Sequence, residues 1–265
     1  MNGELAALIA VVLHGNAWLA DTSKPAPNLE RDNTTFRYVH SLTFVEPRQG
    51  LFSRERQMQG TSEWLTVQRT EGVERLALYS PALVDGSLAP HIASAFANGV
   101  PRGLVAHGPA PALWSSRWDT HGTQHPQGEI WRVTMTSLAL APLPESSPRS
   151  VAEASAELVA ALRGARSFAL TNELLGWAQW FAKAIAAAAD PDPEVPYNPD
   201  ITPAGWLALD QRQLLAAGFQ AWVFGGMGSW NDIWLDDESE ADRMQELTKR
   251  LYAAVMGALV AVANQ

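Results

Sequence analysis

Cysteine is absent from the 265 residues of the sequence. This excludes disulfide bonds, iron–sulfur clusters, thiolate zinc sites and cysteine nucleophiles. A serine nucleophile is not indicated either, because Ser229 and Ser62 both lack the flanking G-x-S-x-G pattern. The sequence therefore contains no catalytic signature and predicts no cofactor, and an enzyme is the less favoured class.

Long apolar runs are also missing. Residues 5–13 form the longest one near the chain start, whereas a membrane span needs roughly 20 apolar residues. A secretory signal begins with basic residues, but Glu4 is the only charge before this run. We therefore predict an amphipathic or buried helix over residues 4–19, and a soluble cytoplasmic protein of bacterial type that does not interact with membranes.

Basic residues are few: 19 Lys and Arg stand against 28 Asp and Glu, which gives a net charge of −9 at pH 7. A general nucleic-acid binder needs a basic surface to neutralise phosphates, so nucleic acid is not a predicted partner. The charge is unevenly placed. Residues 148–265 contain eight basic and fifteen acidic residues, and carry −7 of the total.

The apolar content of 47% is sufficient for a substantial core, and the length suits one large domain or two modest ones. Residues 1–147 contain short alternating segments between turn residues, a pattern typical of antiparallel strands. Strands are predicted over residues 36–46, 63–70, 73–80 and 129–140. The second and third of these are expected to form a hairpin through Glu71 and Gly72.

Residues 148–265 predict helices. Ser150 and Glu153 form a capping box, and the helix that they begin is expected to end at Gly164. Further helices are predicted over 171–189, 202–218 and 239–262, and the apolar stripe of the last one offers a surface for self-association. The predicted fold class is α+β, with an antiparallel sheet-bearing N-terminal part and a mainly helical C-terminal part. The sequence is compatible both with two domains, over residues 1–147 and 148–265, and with two parts that share one core.

Residues 221–232, AWVFGGMGSWND, hold three glycines within four positions: Gly225, Gly226 and Gly228. A P-loop is excluded because no lysine follows the glycines, and a dinucleotide fingerprint would require glycine where Asn231 stands. The favoured interpretation is a tight structural turn packed under tryptophans. A ligand-binding or partner-binding loop is the alternative.

A weak metal-binding candidate lies at Asp119, His121 and His125, with His107 as a further ligand. Imidazole and carboxylate groups suit zinc or iron. Histidines four residues apart share a face only on a helix, and the glycine and proline beside them disfavour a helix there. A solvated loop is therefore the favoured interpretation.

The clearest functional signal is an acidic region that contains tryptophans. Six carboxylates fall within residues 232–242, and a second acidic stretch lies within residues 190–200. A solvated helix start explains much of the charge but not the tryptophans. Aromatic anchors with charges around them are typical of tight protein interfaces. The predicted partner-binding residues are Trp222, Trp230, Asp232, Trp234, Asp236, Asp237 and Glu238.

Residues 218–232, GFQAWVFGGMGSWND, resemble a motif of uncharacterised bacterial proteins of the immunity type, which are encoded beside polymorphic toxins. The resemblance covers about fifteen residues and brings no catalytic residue and no established ligand. It implies a cytoplasmic, non-enzymatic protein that blocks a cognate toxin by binding it.

Two hypotheses follow. The leading one is a soluble protein-binding module of immunity type, whose acidic and tryptophan-bearing surface neutralises a basic toxin. The alternative is an enzyme or a small-ligand or metal-binding protein that uses the glycine loop at 225–228 with His107, His121 or His125. A self-associating structural subunit is a third possibility.

Overall fold

The computed structural model describes residues 2–30, 32–47, 55–80, 88–122, 128–139 and 149–265. Within these ranges the chain forms one six-stranded sheet and seven α-helices, so the α+β prediction is confirmed. The strands are β1 (Val39–Glu46), β2 (Arg56–Gln59), β3 (Arg75–Tyr79), β4 (Gly103–His107), β5 (Ala112–Thr120) and β6 (Trp131–Ala139). The helices are α1 (Gly3–Ala20), α2 (Gly60–Thr70), α3 (Pro90–Ala93), α4 (Val151–Thr171), α5 (Leu175–Ala187), α6 (Leu209–Gln220) and α7 (Glu238–Ala263).

The sheet has the order β2-β1-β6-β5-β4-β3 and is mixed. Strands β1 and β6 run parallel, with Phe44 opposite Met135, whereas the other neighbouring pairs are antiparallel. The expectation of a purely antiparallel sheet was wrong at this one pair. Parallel neighbours need a long connection, which the intervening strands and helices supply.

The predicted hairpin over residues 63–80 is wrong, because residues 63–70 belong to helix α2. Trp64, Leu65 and Gln68 are buried together on one face of this helix. Gly72, two residues after the last helical residue Thr70, terminates the helix with a φ of +85°, which favours glycine. The Gly72 N–H donates to Arg69 and the Val73 N–H to Gln68, which completes a Schellman motif. Strand β3 therefore pairs with β4 instead.

Helix α1 confirms the helix predicted over residues 4–19. Asn2 caps it, because its side-chain oxygen accepts the N–H of Leu5 at 3.0 Å. By length and composition the helix is apolar enough to cross a membrane, but 67% of that stretch is buried inside the protein. It packs against β3 and β4. Burial of this kind is consistent with the core helix of a soluble protein.

Strand β3 lies at the edge of the sheet, where its outward backbone groups need partners. The side-chain amide of Asn16, on α1, both accepts from the Leu76 N–H at 2.7 Å and donates to the Leu76 carbonyl at 2.9 Å. Asn264, which caps α7, makes the same pair of bonds to Leu78, at 2.6 and 3.1 Å. Two asparagine side chains thus replace a neighbouring strand.

The helical half differs from the prediction at several boundaries, and helix α5 covers Leu175–Ala187 rather than the predicted 171–189. Helix α4 begins with the Ser150–Glu153 capping box, as predicted, but passes through Gly164 to Thr171. A Cβ at Gly164 would lie 3.4 Å from the Leu247 side chain, an ordinary van der Waals distance, so Gly164 faces α7 without ending helix α4. Helix α6 begins at Leu209 rather than at residue 202, and Gly218 lies inside it, packed against Leu259.

Helix α7 matches its prediction within a residue at each end. Its apolar stripe, offered above as a self-association surface, packs inside the protein: Leu251, Val255 and Leu259 are fully buried. The helix contacts α1 and β3 as well as α4 and α6. Buried side chains from residues before and after position 148 form one continuous hydrophobic cluster.

Candidate functional site

The glycine-rich loop is a closed turn. The Ser229 hydroxyl donates to the Gly225 carbonyl at 3.0 Å, and the Ser229 N–H donates to the Gly226 carbonyl at 3.1 Å. Gly228 has φ +78°, a backbone conformation that residues other than glycine rarely adopt. Met227 stands fully exposed at the tip. The backbone conformation of the turn therefore explains why residue 228 is a glycine, and a phosphate-binding role is not needed to explain it.

Trp230 anchors this turn to the helices. Its side chain has no exposed surface, and its Nε1–H donates to Thr248 Oγ1 at 2.8 Å. Its ring makes edge-on contacts with Phe168, Trp177 and Phe181, at centroid separations of 6.2, 5.7 and 5.0 Å. Three helices thus hold one tryptophan, which leaves it no surface for a partner.

Trp222 is also buried, with 7% of its surface exposed. Its Nε1–H donates to the Phe224 carbonyl at 3.2 Å, and its ring packs against those of Phe224 and Tyr252. Trp222 and Trp230 were predicted to bind a partner directly. The structure places them in the interior instead, where they fix the position of the loop.

The chain from 231 to 238, called here the outer segment, alternates in exposure. Asn231, Ile233 and Leu235 are half-buried, and the side chains between them are exposed. Trp234 is 86% exposed. The five predicted partner-binding residues that reach the surface together are Asp232, Trp234, Asp236, Asp237 and Glu238. One short segment thus presents four carboxylates and a tryptophan to solvent.

Asp237 lies near the end of the outer segment and caps α7. Its carboxylate accepts the N–H groups of Ser239 at 2.8 Å and of Glu240 at 3.2 Å. The hydroxyl of Ser239, followed by these backbone bonds, lowers the pKa of Asp237. Its negative charge also lies at the positive end of the helix dipole. The direction of the outer segment is therefore set at both ends, by Trp230 and by this cap.

Residues 88–97 pack beside the outer segment. The Asn231 Nδ2–H donates to the carbonyl of His91 at 3.2 Å. Exposed apolar side chains continue along this neighbour, since Leu88, Ile92 and Phe96 are 49%, 37% and 58% exposed. Of these side chains, Ile92 lines a cavity together with Ile233 and Leu235 of the outer segment.

Two cavities flank the loop. The smaller, of about 170 Å³, lies between α3, the outer segment and α7. Its lining includes Ile92, Asn231, Ile233, Leu235 and Met244. The larger, of about 360 Å³, lies between Gly225 and the start of α1, and its lining includes Glu4, Trp118, Trp131, Trp222 and Phe224.

A buried polar network that the sequence did not reveal borders the larger cavity. Glu4 is 5% exposed and accepts the Ser116 hydroxyl at 2.9 Å. Burial raises the pKa of Glu4, although the Ser116 hydrogen bond and the charge of Arg102 act in the opposite direction. The only available signal was a lone carboxylate at the head of an apolar run, which by itself indicates no role.

Arg102 is the most unusual member of this network, because its charge is 99% buried. Its Nη2 donates to Ser94 Oγ at 2.8 Å and to the Tyr252 hydroxyl at 3.3 Å. Nε and Nη1 have no acceptor among the described residues. The guanidinium joins strand β4 to helix α7, and Glu4 supplies the nearby opposite charge.

The metal-binding candidates do not come together in the described parts of the chain, where no cluster of three or more metal-ligating side chains occurs. The Asp119 carboxylate binds Arg117 at 3.0 Å. The ring of His121 stacks on that of His40, and its Nδ1 lies 2.8 Å from Arg132 Nη2. His107 lies on β4 opposite Arg75. The remaining candidate, His125, lies outside the described residues.

No protein-family model, curated protein or solved structure matches this chain significantly.

Proposed function

We propose that this protein is a cytoplasmic protein-binding module of immunity type, which neutralises a basic toxin by binding it through the outer segment. One observation carries the proposal: Trp234 is 86% exposed on a segment that also exposes four carboxylates. The resemblance of residues 218–232 to immunity-type proteins supports the toxin as the class of partner.

The exposure of Trp234 matters because of its cost. Burying an aromatic side chain of this size releases a few kcal/mol, about 25 cal/mol for each Å² of apolar surface. Trp230, four residues earlier, shows that the same fold can bury a tryptophan completely. Tryptophan is among the residues most enriched at binding hot spots, so covering Trp234 would supply a large share of a binding energy.

The carboxylates give the surface its specificity. Asp232 and Asp236 flank Trp234, and Asp237 and Glu238 follow. Rim charges of one sign accelerate association with a partner of the opposite sign and reject partners of the same sign. Exposed charges are screened by salt, so the association rate should fall as ionic strength rises.

The test is direct binding to purified basic proteins encoded beside the gene, measured by calorimetry at 50 and 500 mM NaCl. We expect one tight complex whose affinity falls as the salt concentration rises. The basic protein should lose its toxicity when it is bound. A matched pair of variants locates the surface. The first neutralises Asp232, Asp236, Asp237 and Glu238 as Asn or Gln, and the second neutralises the exposed Glu30, Glu55, Glu71 and Glu74 as Gln.

The first variant should weaken the complex at least tenfold, and the second should change it little because its carboxylates belong to the sheet-bearing part of the chain, before β4. Asparagine at 237 keeps the helix cap, so loss of binding would not reflect loss of α7. Equal effects of the two variants, or no complex with any neighbouring basic protein, would count against the proposal.

A second candidate function is small-ligand binding in the cavity of about 360 Å³ beside Gly225. Its size lies within the usual range for ligand pockets, and aromatic rings with one carboxylate line it. A thermal-shift screen of nucleotides, metals and small organic ions tests this candidate. A ligand at 100 times its Kd would stabilise the protein by about 2.7 kcal/mol.

A further inference from the structure

We propose that the cavity of about 360 Å³ beside Gly225 binds a small molecule that carries a quaternary ammonium group. This inference rests on the second candidate function, small-ligand binding in that cavity, and names the chemical class of the ligand. The described residues that line the cavity belong to other parts of the chain than the outer segment. The inference is therefore separate from the binding of a toxin.

Aromatic side chains supply much of the cavity wall. Trp118 and Trp131 line it from the neighbouring strands β5 and β6, and Trp222 and Phe224 line it from the chain just before the glycine turn. A cation is attracted to the negative face of an aromatic ring, most strongly to that of tryptophan, and more so when the cation has lost its water. Four aromatic side chains in one wall therefore favour a positively charged ligand over an anionic one.

The four rings are arranged as two corners. Trp118 meets Trp131 at an interplanar angle of 72°, with the ring centroids 6.0 Å apart. Trp222 meets Phe224 at 87°, with the centroids 5.4 Å apart. A flat ligand can stack on only one ring of such a corner, whereas a rounded ammonium group can contact both. The corners therefore favour a compact cation over a planar heterocycle.

One carboxylate lies in the same wall. Glu4 lines the cavity and is 5% exposed. Burial raises the pKa of Glu4, and the opposing effects of the Ser116 hydrogen bond and of the Arg102 charge do not cancel that rise. The protein thus compensates the charge of Glu4 incompletely, although Arg102 is near. A cation in the cavity would supply the missing compensation and would favour the ionised form of Glu4.

The kind of cation follows from the hydrogen bonds that already exist. The polar side chains that line the cavity have partners: Glu4 Oε1 accepts from Ser116 at 2.9 Å, Asn2 Oδ1 accepts a backbone N–H of α1 at 3.0 Å, and Ser94 Oγ accepts from Arg102 at 2.8 Å. A primary ammonium carries three N–H donors, which would need acceptors of their own. A quaternary ammonium has none, so the rings and a carboxylate that it does not touch are sufficient.

The first experiment titrates the ¹⁵N-labelled protein with choline and follows the indole N–H signals of the 11 tryptophans by NMR. The control probe is the neutral carbon analogue of choline, in which a tert-butyl group replaces the trimethylammonium group. We expect choline to bind about tenfold more tightly than this alcohol, because the shape is shared and only the charge differs.

The position of the shifts locates the site. Choline should shift the indole signals of Trp118, Trp131 and Trp222, and should leave that of Trp234 unchanged. Trp234 is exposed on the acidic outer segment, so it reports binding to surface carboxylates. Equal binding of the two probes, no binding of choline, or shifts confined to Trp234 would overturn the inference.

The second experiment uses variants of the full chain. Glu4→Gln removes the charge but keeps an oxygen for the Ser116 hydroxyl, and Trp131→Leu removes a half-buried ring from the wall. Glu74→Gln and Trp206→Leu, at exposed positions away from the cavity wall, are the matched controls. Each cavity variant should weaken choline binding about tenfold, whereas the controls should not change it.

The neutral alcohol separates a loss of charge from a loss of structure. Glu4→Gln should leave the affinity for the alcohol unchanged, which a disrupted cavity would not. Trp131→Leu keeps the test valid if Glu4→Gln does not fold. Choline binding that is as tight in both cavity variants as in the parent would contradict the proposed site.

The proposals fail in different ways. A toxin complex without choline binding would overturn the cation site alone. Choline binding at the three lining tryptophans, with no complex between the protein and any neighbouring basic protein, would overturn the immunity-type function and leave the cation site. Stabilisation by a neutral or anionic compound but not by choline would keep the second candidate function and reject a cation as its ligand.

Discussion

The inner and outer sides of residues 222–238 are built from similar residues but behave differently. On the inner side, Trp222 and Trp230 are 7% and 0% exposed, and both donate hydrogen bonds within the protein. On the outer side, Trp234 is 86% exposed among carboxylates. The inner side holds the segment in place, and the outer side is left available. The difference shows that a tryptophan count cannot separate structural anchors from binding residues.

The largest effect should come from the inner side. Trp230→Ala would remove three ring contacts and leave Thr248 Oγ1 without its donor. We expect a loss of about 3–5 kcal/mol in the free energy of unfolding, as for other buried aromatic residues. Chemical denaturation followed by circular dichroism measures it. A loss below about 1 kcal/mol would mean that Trp230 is not the anchor described here.

Trp234→Ala should have the opposite profile. Its free energy of unfolding should stay within about 0.5 kcal/mol of the parent, because the side chain is exposed. The affinity for the basic partner should fall by about 30-fold, which corresponds to about 2 kcal/mol at a hot spot. Calorimetry and denaturation on the same preparation check both values. If Trp234→Ala lowered both the stability and the affinity, Trp234 would be a structural residue like Trp230, and the distinction between the two sides would be wrong.

The glycine turn between the two sides allows a finer comparison. Gly228→Ala should cost about 1–2 kcal/mol, because φ is +78° there although no atom lies within 4 Å of the new Cβ. Gly226→Ala, which also meets open space, lacks a positive φ and should cost less than about 0.5 kcal/mol. Thermal unfolding of the two variants measures the difference between their stabilities. Similar costs would show that the backbone angle at Gly228 is not the constraint.

The smallest effect concerns pH and His91, which supports the outer segment through its carbonyl. Burial, followed by the charge of Lys249, lowers the pKa of His91 below its ordinary 6.5. The unfolded chain then binds the proton more readily, so stability is lost as the pH falls below about 6.5 toward the lowered pKa. His91→Gln should reduce this slope between pH 7 and 5. An unchanged slope would assign it to the half-buried histidines His14 and His107, whose pKa values burial also lowers.

Local patterns predicted much of the fold. Helix α1, strands β1 and β6, the Ser150 capping box and helix α7 lie where periodicity and capping residues indicated. The errors fall where tertiary packing overrides a local signal. Residues 63–70 alternate like a strand, but the core receives Trp64, Leu65 and Gln68 from one helical face. Gly164 suggested a helix end, but lies inside α4, which continues to Thr171.

The candidate site was predicted in part. Of the seven residues proposed for partner binding, the five from 232 to 238 are exposed, and the other two are buried. The alternation of half-buried and exposed residues from 231 to 236 was not readable from the sequence, because Ile233, Trp234 and Leu235 are consecutive apolar residues and their exposure depends on where Trp230 enters the core. The proximity of the Arg102 charge to Glu4 was not readable, because 98 positions separate them and no motif links them.

Composition and order therefore determined the class of fold, the acidic C-terminal half and the absence of cysteine chemistry. Tertiary structure decided which tryptophans are anchors and which carboxylates share an exposed segment with Trp234. The physical reason is that burial depends on what the other elements bring to a position. Phe168, Trp177, Phe181 and Thr248 enclose Trp230, whereas Trp234, four residues further on, remains largely in solvent.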